Sequence, residues 1–129
     1  MLTPYERIGE EKLIELVDTF YDFVKDDVNL APLFPDDMGE TKRKQTQFLT
    51  QYFGGPSLYT NEHGHPMLRA RHLPHPITPK LATAWLKCME KAMDVIDFPL
   101  DIREECFARL ALTARHMVNT PEEGDVNDE

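Results

Sequence analysis

Seven of the chain's ten prolines fall between Pro32 and Pro79, and runs with helical apolar spacing flank that stretch on both sides. Proline lacks the amide hydrogen that a helix interior needs and pushes the residue before it toward extended backbone. The middle of the chain is therefore confined to short helices and turns, while both flanks are free to form long helices. From Glu10 to about Lys25, Leu13, Leu16, Val17, Phe20, Tyr21 and Val24 recur at helical spacing. Thr78-Pro79 joins a cap to a proline at the first helical position, and Leu81, Trp85, Cys88, Met89 and Ala92 then share one face up to about Asp97. A last helix begins at Pro99 or Leu100, with Ile102, Phe107, Leu110, Ala114 and Met117 on its face. Thr3-Pro4-Tyr5-Glu6 has the capping-box pattern and starts a short first helix.

The broken middle reads as a turn near Ala31 closed by Phe34-Pro35, a helix from about Gly39 to Phe53 stopped by Gly54-Gly55, a loop from Pro56 to Pro66, and a short helix over Met67–Leu73 ending before Pro74. No segment carries a strand pattern, so the fold class expected is all-α. A chain of 129 residues suffices for one core, placed here in residues 1–120. The tail, residues 121–129, is acidic, lacks a packing face and is expected to be flexible.

The formal net charge of -9 disfavours nucleic-acid backbones. Charge is uneven: Thr41 to His75 holds five basic residues (Lys42, Arg43, Lys44, Arg69, Arg71) against Glu62, leaving nine basic and twenty-two acidic residues elsewhere. That stretch either faces an anionic group or is a solvated patch. No apolar run is long enough to span a bilayer, and MLTPYERIGEEKL has no apolar signal core, so a cytoplasmic protein is expected. Cys88 and Cys106 fit no metal spacing and read as reduced core thiols, although both could approach across a helical hairpin. Signatures such as HExxH, GxSxG and the phosphate-binding glycine loops are missing.

Four of the five histidines, His63, His65, His72 and His75, lie within thirteen residues. His72 follows Leu68 by one helical turn and shares its face, toward the core. His75 sits between Pro74 and Pro76 in extended chain, and His63 and His65 flank Gly64 as turn or surface residues. A core-facing histidine is either a hydrogen-bonded structural group or a ligand of the kind haem iron takes. The histidine cluster could also suit zinc, but only one carboxylate and no cysteine lie nearby. On the third helix, Met38, Thr41, Gln45, Phe48 and Tyr52 form the inward stripe, with Thr41 and Gln45 as polar interruptions. A buried amide without a partner costs roughly 1–3 kcal/mol, so Gln45 either seeks a polar partner or the helix is rotated and both residues are exposed. Tyr21 and Trp85 each join an apolar body to one donor, suited to core packing or to a ligand.

The run QTQFLTQYFGGPSLYTNEHGHPMLRARHLPHPIT, with AWLKCM and LTARHMVN, resembles the truncated haemoglobins of group II. The resemblance covers about Pro4 to Asn119, and its one departure near the start is Gly9-Glu10 where the family often has Gly-Gly. It implies a two-over-two helical sandwich around haem b, with His72 as proximal ligand to iron. Tyr21, Thr41, Gln45 and Trp85 fall on distal positions, and Phe34 on the aromatic that packs on the haem. The remaining haem contacts implied are Phe48, Tyr52, Leu68 and Ile77, with Arg69 and Arg71 able to meet propionates. The function implied is binding of O2, and of NO or CO, with slow O2 release. The alternative is a redox enzyme using the same haem, in NO detoxification or peroxidase-like turnover, with a separate reductase as partner.

Overall fold

A computed structural model describes residues 1–122, so the proposed tail beyond Glu122 lies outside the described residues. The described residues form seven α-helices and no strand: α1 (Pro4–Ile8), α2 (Glu10–Asp26), α3 (Gly39–Tyr52), α4 (Leu58–His63), α5 (Leu68–His72), α6 (Pro79–Val95) and α7 (Leu100–Met117). A single 3-10 turn, Ala31–Leu33, stands between α2 and α3. Helix α2 packs against α3 on one side and α6 on the other, and α6 packs against α7, so two helix pairs are laid on each other. The layer between them is filled by Phe20, Phe53, Phe98, Leu13, Leu16, Leu49, Met89 and Met93, all fully buried.

The capping box forms: the Thr3 hydroxyl accepts from the Glu6 amide at 3.1 Å, and Glu6 returns a carboxylate oxygen to the Thr3 amide at 2.9 Å. Gly9 closes α1 and opens α2 at φ +87°, a backbone that a side chain rarely adopts, so α2 can turn sharply off α1. Gly55 serves a different need. A Cβ there would stand 2.7 Å from the Tyr5 ring, so the end of α3 can lie against α1 only without a side chain. The Tyr5 amide donates to the Phe53 carbonyl at 2.8 Å across that contact.

Two sequence expectations change here. Pro56 to Pro66 is not all loop, because Leu58–His63 is helical. Its order comes from α3: Gln51 donates to the Thr60 hydroxyl at 2.7 Å and accepts from the Thr60 amide at 2.9 Å. That amide clamp holds a turn whose own residues give no strong helical signal. The second change concerns α3, whose buried face is Leu49, Thr50 and Phe53 together with its cap Met38. Thr41, Gln45, Phe48 and Tyr52 are only half-buried. The stripe inferred from polar interruptions is thus a half-buried face, offset from the fully buried one.

A candidate haem cleft

Helix α5 begins at Met67, which takes the left-handed backbone at φ 43°, and none of its residues is buried. His72, at its last position, is half-buried. Its Nδ1 lies 2.7 Å from the Leu68 carbonyl, one turn back. A carbonyl only accepts, so Nδ1 carries the proton and Nε2 keeps its lone pair. No protein group among the described residues meets Nε2. This is the tautomer a metal-ligating histidine needs, with the second nitrogen oriented by a backbone oxygen.

The Tyr21 ring packs edge-on against Phe20 at 4.8 Å and against Phe34 at 5.7 Å, while Phe20 meets Trp85 at 5.0 Å. The α2 and α6 candidates are therefore brought into one aromatic cluster. Burial pushes the Tyr21 hydroxyl well above its ordinary ionisation range, so it stays a donor. The side chains of Tyr21, Thr41, Gln45 and Trp85 find no hydrogen-bond partner among the described residues. No fully enclosed side-chain polar atom is left unpartnered there, so these four groups border accessible space.

Several apolar side chains are also only half-buried. Phe34, Phe48, Tyr52 and Trp85 pack on the core, joined by Leu81, Phe107 and Ala114. Leu68 and Ile77 are likewise half-buried. The Phe48 ring stands 5.4 Å from Tyr52, whose hydroxyl donates to the Arg109 carbonyl at 2.9 Å and so ties α3 to α7. An imidazole with a bare Nε2, half-buried apolar side chains and unpartnered donors suit a flat apolar macrocycle with a central metal.

Both arginines of α5 donate to backbone carbonyls. Arg69 Nη1 donates to the His116 and Val118 carbonyls at 2.9 and 3.0 Å. Arg71 Nη2 donates to the His63 and His65 carbonyls, both at 3.0 Å. His63 is not a free turn residue: its Nε2 lies 2.9 Å from Gln47 Oε1, and its ring lies tilted against Tyr59 at 4.8 Å. His65 and His75 are exposed. Among the described residues, no group of three His, Cys, Asp or Glu residues is placed to hold a metal ion, so the histidine cluster does not assemble a zinc site. Cys88 and Cys106 are buried free thiols, and burial pushes Cys106 up to about 11.

Two residues of the basic stretch, Lys42 and Arg43, meet carboxylates. Arg43 bridges Glu40 and Glu62, and hydrogen bonds from Arg43 and then Gln47 bring the Glu62 carboxyl down to about 2. A depressed carboxyl stabilises the fold above its ordinary range, and that contribution is lost as pH falls toward 2. A carboxyl-carbon NMR titration should place the Glu62 midpoint near 2. In Arg43→Gln it should rise toward the ordinary carboxylate range, short of it while Gln47 still donates; an unmoved midpoint would remove Arg43 as the cause.

The family model of the bacterial-like globins matches residues 3–119. The chain belongs to that family. This globin is 64% identical over 122 residues to the group 2 truncated hemoglobin YjbI of Bacillus subtilis, covering 95% of this chain and 92% of that one. The crystal structure of a group II truncated hemoglobin from Bacillus anthracis superposes at a TM-score of 0.91 with 66% identity, covering 95% of each chain. An X-ray structure of a truncated oxygen-avid haemoglobin from Bacillus subtilis superposes at 0.89 with 64% identity, over 92% of this chain and all of that one. The globin is thus a group II truncated haemoglobin in sequence and in fold, and haem is the family's cofactor. Among the described residues, no helix is long and apolar enough to cross a membrane.

Proposed function

We propose that this globin takes a b-type haem in the cleft and retains O2 there through a distal set of donors. The observation that carries the proposal is the group of four unpartnered side chains, Tyr21, Thr41, Gln45 and Trp85, bordering accessible space in a haem-binding family. A haem supplies an iron that takes a histidine nitrogen on one side and a diatomic gas on the other. The residues of the chain do the rest. Leu68 O fixes the His72 tautomer and makes Nε2 the better ligand. Phe34, Phe48, Tyr52, Leu68 and Ile77 form the apolar walls, and Arg69 and Arg71 keep N–H groups beyond their carbonyl contacts for anionic propionates. Tyr21, Gln45 and Trp85 would be the hydrogen-bond donors available to a diatomic ligand held there, whether O2, NO or CO. A 64% identical relative described as oxygen-avid supports slow release.

The test is stopped-flow displacement of O2 by CO from the reduced protein. Release over seconds or longer is expected. Release as fast as from a pocket without donors would contradict the proposed distal role. Adding NO or peroxide with an electron donor in parallel distinguishes storage from turnover, because turnover requires continuous reductant.

A further inference from the structure

Helix α5 is five residues long and buries no residue, yet it carries the one histidine on which the proposed function rests. A cavity of about 750 Å3, lined in part by Leu68, Arg69, Leu112 and Met117, opens on its seam with α7. Apolar packing therefore cannot fix where this helix stands. Polar bridges to the end of α7 do so instead.

Asn119 makes the densest of them. Its Nδ2 donates to the His72 carbonyl at 3.1 Å and to the His75 carbonyl at 3.0 Å. Its Oδ1 accepts from the Ile77 amide at 2.9 Å and from the Thr120 hydroxyl at 2.7 Å. These bonds use both amide hydrogens and both lone-pair directions, and the Ile77 amide, a pure donor, settles which end is oxygen. The Asn119 and Thr120 amides both donate to the Ile77 carbonyl, at 2.9 and 3.1 Å. Arg69 crosses the other way, onto the His116 and Val118 carbonyls, where a cation also meets the negative end of α7. The carbonyl of His72 would otherwise be an unpaired C-terminal helix group apart from its bond to the His75 amide at 2.9 Å.

We propose that Asn119 is the positioning residue of His72: it clamps the last residue of α5 and the chain after it to the end of α7, and so sets where the imidazole stands. The proposal rests on His72 being the iron ligand. Asn119→Asp keeps the oxygen that receives Ile77 but turns a second oxygen toward two carbonyls, and Asn119→Ala removes the side-chain bonds while leaving the backbone bonds to Ile77.

The full-length variants Asn119→Asp, Asn119→Ala and Arg69→Gln are compared with the unmodified protein and with His72→Gly. In the haem-free proteins, the Ile77 amide should exchange faster in Asn119→Ala and stay protected in Asn119→Asp. In the reduced haem complexes, both Asn119 variants should shift or broaden the iron–nitrogen stretching band. Haemin transfer to an acceptor apoglobin should speed up about tenfold, the loss of one to two net hydrogen bonds. Arg69→Gln should shift the stretching band in the same direction, and Asn119→Asp carries the test if Asn119→Ala does not fold. An unchanged band and unchanged haemin transfer in the folded variants overturn the positioning role while leaving His72 as ligand. A stretching band that survives His72→Gly overturns the ligand assignment itself, and the positioning role with it.

Discussion

Haemin added to a His72→Gly variant is expected to be lost on gel filtration, and imidazole in the buffer is expected to restore both retention and the native-like spectrum. The expectation follows from how little else addresses the proximal side. His65 and His75 are exposed, and His63 is occupied by Gln47 and tilted against Tyr59. His72 alone combines partial burial, a protonated Nδ1 held by Leu68 O and an unpartnered Nε2. The helix should survive the substitution, because the hydrogen bonds of α5 to the rest of the chain run through Arg69, Arg71 and Asn119 and involve His72 only by its backbone carbonyl. Imidazole restores the missing ligand because glycine leaves room for it. Retention without imidazole, with an unaltered spectrum, would show that a different group holds the iron.

Replacing Tyr21 by Phe should speed O2 release by about ten- to a hundredfold, the range set by a hydrogen bond to a charged acceptor. The substitution removes one oxygen atom from a ring that is otherwise locked. Tyr21 is 3% exposed and wedged between Phe20 and Phe34, so Phe should keep the ring where it is. Burial keeps the hydroxyl protonated far into the alkaline range, so the slow release of the unmodified protein should not change between neutral and mildly alkaline pH. Stopped-flow displacement reads both effects. An unchanged release rate in Tyr21→Phe would leave Gln45, Thr41 and Trp85 as the only donors of consequence.

The long helices were legible because each carries a sustained apolar period and a local start signal. Thr3 and Thr78 accept from the backbone as caps, and α2, α6 and α7 begin and end within a residue or two of their expected limits. Helix α4 was not legible, since the Gln51–Thr60 clamp that orders it joins residues on two different elements. The same holds for His63, whose partner Gln47 is sixteen residues away. Thr41 and Gln45 showed themselves as polar residues in an apolar stripe, and they are indeed half-buried. The helix rotation was less accessible: Leu49, Thr50 and Phe53 take the fully buried face because α2 lies on that side. Local spacing put His72 on the face of Leu68, but the contact that prepares it runs to the Leu68 carbonyl, a backbone group that side-chain spacing does not reveal. Asn119 carried no signal at all, because its partners His72, His75 and Ile77 lie more than forty residues upstream.

The central claim is that this cleft holds one haem, and the most direct test is a haemin titration of the haem-free protein followed by absorption, oxidised and then reduced. The account predicts a strong band at roughly 400–430 nm, the region of a protein-held haem, that saturates at one haemin per chain and shifts on reduction and on adding CO. A titration with no break, or a spectrum indistinguishable from free haemin, would contradict it and leave His72 and the four unpartnered donors as structural groups.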